Sequence, residues 1–185
     1  MCWPVYWHSL LTNCYLLMHK MKLILPVLLF LNFGLAAQES KQFVIEGKVK
    51  QKVTVDLASL KQYKTVNLDS ITILNHLLQR KSVIKDITAI DLKDILSTVQ
   101  IDEASPKKLS EYYLVFTATD NYKVVFSWNE IFNTKNEHQV LVLLDFKADP
   151  EKGEKGNIAI ITPSDIASGR RFVKGLSKIS ILQAK

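Results

Sequence analysis

The 185-residue sequence contains only two cysteines, Cys2 and Cys14, and both lie within its first twenty residues. Past that point the chain has no thiol, so neither a disulfide framework nor a thiolate metal site can form there. The motifs HExxH, GxSxG, GxGxxG and the phosphate-binding P-loop are also absent, which removes the commonest hydrolase, nucleotide and zinc-protease signatures. Beyond residue 37 only two histidines remain, His76 and His138, 62 residues apart (138 − 76), and no carboxylate stands at a local spacing that would complete a metal site with either. Ser127 and Ser164 have no base nearby in sequence to activate them. There is one long apolar run, from Leu23 to Leu35, and it is short for a membrane span.

That run follows Met21 and Lys22 and ends in the small residues Gly34, Leu35, Ala36 and Ala37. A positive start, an apolar middle and a small-residue end describe a secretory signal peptide over residues 21–37. The expected product is exported, periplasmic or extracellular, with no stable membrane span after cleavage; an uncleaved anchor is the alternative. The preceding "MCWPVYWHSLLTNCYLLMHK" fits no signal n-region and is expected to be an extension ahead of the true start at Met21. Setting residues 1–37 aside removes only Lys20 and Lys22 from the charged set. The remaining 22 Lys and Arg against 18 Asp and Glu give a net charge of about +4. Such mild basicity suits an anionic ligand but is too weak to argue for nucleic acid.

Residues 38–185 show no repeat, low-complexity tract or Pro/Gly linker, so one domain is expected. "QFVIEGKV" and "KVTVD" alternate as strands, and Asp56 reads as the N-cap of a short helix through Leu57, Leu60 and Tyr63. "TVNLDSITIL" reads as a strand, whereas residues 76–87 are ambiguous. Residues 90–99 place Leu92, Ile95, Leu96 and Val99 on one helical face, with Thr88 and Asp91 at capping-box spacing. "YYLVFTATD" and "YKVVFSW" predict a hairpin about a two-residue Asp120-Asn121 turn, with packing as the role of the clustered Tyr112, Tyr113, Tyr122 and Trp128 and an aromatic pocket wall as the alternative. "WNEIFNT" reads as a short helix or turn, and "QVLVLLDF" as a central strand buried on both faces. "KADPEKGEKGN" reads as a solvated loop, "IAIITP" and "LSKISIL" as strands. The expected class is α+β: a β-rich mixed-sheet domain with two or three short helices.

The most pointed segment is "SGRRFVKGL", residues 168–176, with Arg170, Arg171 and Lys174 around Phe172, Val173 and Leu176. Arginine offers planar paired donors to phosphate or sulfate, lysine a point charge, and amides near Gly169 add further donors. If the segment is extended with Phe172 inward, Arg171 and Val173 face the other way, so its cations do not converge on one face.

The order "FVIEGKV", "VTVDLASLKQY", "ITAIDLKDIL", "FTATDNYKVVFSWNEIF", "GRRFVKGLSKISI" resembles the oxidoreductase molybdopterin-binding domain, the catalytic-domain fold of sulfite oxidase. "AIDLKDIL" matches the family's helix segment with Ala89 in place of glycine. Asp120-Asn121-Tyr122 stands at its D-G-Y turn. Gly169, Arg171, Val173, Lys174, Leu176 and Ile179 match its closing pattern, so the resemblance covers roughly residues 42–182. It implies that Arg171, Phe172, Val173 and Lys174 line the wall that holds a pterin cofactor, with Asp120 and Tyr122 beside them. The family's molybdenum-ligating cysteine falls between the first strands and the "AIDLKDIL" helix, and residues 66–87 contain none; the further cofactor-binding His and Arg are missing too. The expectation is therefore an exported, non-catalytic relative that binds a small anionic ligand or a protein partner on the old cofactor face. A molybdopterin-dependent oxidoreductase holding the pterin without a cysteine ligand, and an interaction domain without a ligand, are the alternatives.

Overall fold

The computed structural model describes residues 40–135, 138–149 and 158–185. The expected extension (1–20), the expected signal peptide (21–37) and most of the 147–157 loop lie outside the described residues. In chain order come β1 (Gln42–Gly47), β2 (Val53–Asp56), α1 (Leu57–Leu60), β3 (Thr65–Leu74), β4 (Arg80–Asp91) and α2 (Leu92–Ser97). A 3-10 turn (Pro106–Glu111) leads to β5 (Tyr112–Ala118), β6 (Lys123–Ser127), α3 (Trp128–Phe132), β7 (Leu141–Lys147) and β8 (Ala159–Ile161). A second 3-10 turn (Ser168–Arg170) precedes β9 (Leu176–Gln183). This is a β-rich α+β domain of two sheets, with three short α-helices among the described residues.

The first sheet has the order β2-β1-β9-β5-β6 and the second β3-β4-β7-β8. Within the first sheet β9 lies parallel to β1 and antiparallel to β5, which makes the sheet mixed. Gly47 ends β1 at φ +101°, where an added Cβ would lie 2.2 Å from the Ile181 carbonyl oxygen. Only glycine permits both that backbone and that approach.

Two apolar clusters account for the layering. The larger joins inward residues of the first sheet (Leu114, Phe116, Ile179, Ile181) to α2 and to Ile90, Val142 and Ile160 from one face of the second sheet. The smaller lies on the opposite face of the second sheet, around Ile84, Ala89, Leu141, Leu143, Ile161 and Phe172. The near-continuous apolarity of "QVLVLLDF" follows, because Leu141, Val142 and Leu143 are buried alternately in the two clusters. Beyond Leu143 the strand alternates and its outer residues emerge.

Local readings held where a side chain sets the geometry. Asp56 caps α1 by accepting from Ser59 N, and Ser127 with Glu130 forms a capping box at the start of α3. Three expectations need correction. The second helix begins at Leu92 and is capped by Asp91, which accepts from Lys93 N; Thr88 is no cap because β4 runs on through Asp91, paired with β7. The ambiguous stretch 76–87 supplies a turn and most of this long strand. The β5–β6 connection is four residues, not two: Ala118 N bonds Tyr122 O, Asn121 takes φ 68°, and Asp120 accepts from Tyr122 N at 2.9 Å.

Segment 168–176 ties the second sheet together at both edges. The buried Ser168 hydroxyl donates to Thr72 O (2.8 Å) and accepts from Leu74 N (3.1 Å), filling the outer edge of β3. Val173 exchanges backbone bonds of 2.8 and 2.9 Å with Ile160, covering the edge of β8. Apart from this bridge and Leu176, which begins β9, the segment is not strand, but its side chains alternate as an extended strand's would: Phe172 enters the smaller cluster and Val173 the larger. Gly169 lies so close to β3 that a Cβ would sit 2.8 Å from Leu74 O and 3.2 Å from Ile73 Cγ2. Gly169→Ala should therefore lower unfolding free energy by about 2 kcal/mol. Urea unfolding followed by circular dichroism measures it, and an unchanged midpoint would disprove the close docking.

Candidate functional site

The three cations of 168–176 go to different places. Arg171 turns toward the first sheet, where its guanidinium lies 4.4 Å from the centre of the Phe126 ring. Its Nε donates to Asp165 Oδ2 at 2.7 Å, its Nη2 to the second oxygen of Asp165, and its Nη1 to Glu130 Oε1. The paired bond to Asp165, and then that to Glu130, hold the guanidinium charged well above its ordinary range, against the opposing effect of burial. Glu130 also belongs to the α3 capping box, so one arginine ties the 165–171 loop to a helix start and an aromatic face.

Arg170 and Lys174 face a different feature. A cleft of about 420 Å³ opens between the β3–β4 hairpin and 168–176, lined by Ile73, Leu74, Asn75, His76, Lys81, Ser82, Tyr122, Gly169, Arg170, Phe172 and Lys174. Phe172, almost fully buried, carries the Lys174 ammonium 5.3 Å from its ring centre. The Tyr122 hydroxyl donates to the Arg170 carbonyl, which fixes the hairpin loop against the turn. Asn75 holds the other wall by accepting from Leu77 N and Gln79 N, both at 2.9 Å.

Among the described residues the lining carries three permanent cations, Lys81, Arg170 and Lys174, with His76 and no carboxylate. Ser82 adds an unusual group: it is 3% exposed, and its hydroxyl has no hydrogen-bond partner among the described residues. A buried hydroxyl left unpaired costs stability, and one that lines a cationic cleft is a ready donor to whatever enters.

Of the residues singled out from sequence, Tyr122, Phe172 and Lys174 line this cleft. Asp120 shapes the adjoining turn, Arg171 points away from the cleft, and Val173 is wholly buried with its backbone paired to β8. Sequence reasoning did not find His76, Lys81 or Ser82 as cleft residues. Their signal was a polar stretch with unclear periodicity, and only the hairpin brings it opposite 168–176.

Arg171→Met would leave Asp165 and Glu130 facing a methionine. Because both carboxylates are partly screened by solvent, the expected loss is about 2 kcal/mol rather than that of a fully buried pair. Arg171→Lys should recover only part of it, since an ammonium cannot make the paired bond to Asp165. Thermal unfolding of the two variants separates lost charge from lost geometry, and equal melting points for variants and parent would remove Arg171 as a tie.

No protein-family model matches the chain, and no curated protein matches it either. Among solved structures it is similar to the sulfane dehydrogenase SoxCD from Paracoccus pantotrophus, with a TM-score of 0.53 at 11% identity. The match covers 80% of this chain and 39% of that one, so the present chain spans well under half the length of its structural neighbour. The stretch in which the sulfite oxidase family carries its cysteine gives the cleft Ile73, Leu74, Asn75, His76, Lys81 and Ser82, and no described residue is a cysteine. Among the described residues no three of His, Cys, Asp or Glu are grouped to hold a metal. This donor set does not fit a thiolate-bound molybdenum. What the chain shares with the molybdopterin oxidoreductase domain is its fold, a sulfite oxidase-like arrangement of two sheets joined by short helices.

Proposed function

We propose that the domain binds a small anionic ligand in the cleft between the β3–β4 hairpin and 168–176, and does no redox chemistry there. The observation that carries this reading is the lining: Lys81 and Arg170, with no carboxylate among the described lining residues, around a Ser82 hydroxyl that no described residue pairs. Exposed cations each contribute little, but several facing one concave, part-apolar space add their fields and raise the local anion concentration. The Phe172 floor offers apolar contact to any organic part of the ligand, and Ser82 supplies a hydroxyl donor, that of Tyr122 being spent on the Arg170 carbonyl. We further propose that the domain works outside the cytoplasm, after export on the signal at residues 21–37.

Ser82→Ala is the discriminating variant. Removing an unpaired buried hydroxyl should leave the ligand-free melting temperature unchanged or slightly raised, while weakening sulfate or phosphate binding about tenfold. Lys81→Ala should weaken binding with a smaller effect at high salt. Thermal shifts with sulfate and phosphate, against chloride at matched ionic strength, read both. Anion-independent melting, or a Ser82→Ala variant that binds normally, refutes the reading. Native mass spectrometry of the exported protein checks the competing one: a retained pterin with stoichiometric molybdenum would restore an oxidoreductase.

A further inference from the structure

The first sheet ends at β6, and among the described residues nothing pairs with its outer edge. The Ala118 N to Tyr122 O bond sets the phase of the β5–β6 ladder, with Phe116 opposite Val124 and Leu114 opposite Phe126. Antiparallel ladders alternate, so the backbone groups of Val124 and Phe126 face β5, while those of Lys123 and Val125 face away from the sheet. Two N–H and two C=O groups are thus presented in a row.

This edge borders a groove. Across from Lys123, Val124 and Val125 stands a wall made by Ser164, Asp165, Ile166 and Ala167, with Arg170 and Arg171 at its base, around a volume of about 690 Å³. Val125 is 55% exposed and Ile166 is 78% exposed, the highest value among the large apolar side chains. The wall is held to the sheet, because Asp165 bonds Arg171, which in turn contacts Phe126 and Glu130. The groove lining holds Lys123, Arg170 and Arg171 against Asp165, so with Asp165 paired to Arg171 its described charge is net positive.

We propose that the β6 edge accepts an extended peptide from a partner protein, as a sixth strand of the first sheet, with acidic and apolar residues taking turns along one of its faces. Backbone pairing to Lys123 and Val125 supplies the register. Lys123 and Val125 share one face of β6, so the peptide residues beside them on that face, two apart, are one acidic and one apolar. Ile166 and Arg170 offer a second apolar and a second cationic contact across the groove. A second copy of this chain fits less well, since edge-to-edge pairing would place the same cations on both sides of the seam.

The probe is a capped synthetic peptide repeating Glu-Ser-Val-Ser, which brings glutamate and valine to the same face in turn, with a control in which lysine replaces glutamate. Amide exchange at Lys123 and Val125, fast in the free protein, should slow about tenfold on binding the glutamate peptide, and the lysine peptide should have no effect. Val125→Pro removes an outward N–H without touching the β5 ladder and should weaken binding about tenfold with far-ultraviolet dichroism retained. Ile166→Ser, on the wall, should weaken it with no change in the strand. Ser82→Ala should bind the peptide normally, which separates this surface from the cleft. Unchanged exchange at both amides under saturating peptide overturns the proposal. So does equal binding of the lysine peptide, or a protein that sediments as a β6-paired dimer.

Discussion

The arrangement depends on how nine residues, 168–176, satisfy two sheet edges at once. A four-stranded sheet leaves a row of unpaired backbone groups on each outer strand, and groups buried in that state are costly. Here Ser168 fills β3 with a side chain, and Val173 fills β8 with its own backbone. The residues between them are placed by these two attachments. Phe172 is driven into one apolar cluster and Val173 into the other, while Arg170 and Lys174 emerge at the cleft. A segment rich in cations is thereby compatible with burial, because the chain reverses the direction of its side chains at each step.

The cations then separate by chemistry. Arginine can hold two carboxylates in fixed planes, and Arg171 does this between the loop and α3. Arg170 and Lys174 line the cleft instead, beside Phe172 and Tyr122. Asp165 and Glu130, the carboxylates that Arg171 holds, do not line it. Neighbouring cations of one segment thus serve an internal ion pair and a cleft wall.

Much of the fold was legible from residue periodicity. Alternation in "YYLVFTA" and "KVVFS", caps at Asp56 and Ser127, and the continuous apolar core of β7 are local signals, and each appears where expected. Thr88 misled because capping spacing is common by chance, and the competing strand pairing of Thr88 with Asp145 cannot be read from spacing. The site was legible in part. Phe172 and Lys174 sit in a compact motif, and the order of motifs pointed to the fold. Lys81 and Ser82 meet that motif only through a hairpin whose turn depends on Asn75 side-chain bonds and a positive φ at Leu78. Partners of Arg171 six and 41 residues away are likewise outside the reach of any local pattern.

The pairing of β1 with β9 has a consequence for how the chain reaches this state. Val44 lies opposite Lys178, and β9 is also the neighbour of β5, so the central strand of the first sheet follows every other described strand along the chain. Before it arrives, β1–β2 and β5–β6 are two separate hairpins, and an isolated hairpin is marginal in water. The larger cluster therefore closes only across contacts such as Val44 with Lys178, 134 residues apart (178 − 44), and contacts of such long sequence separation slow the search for the native state.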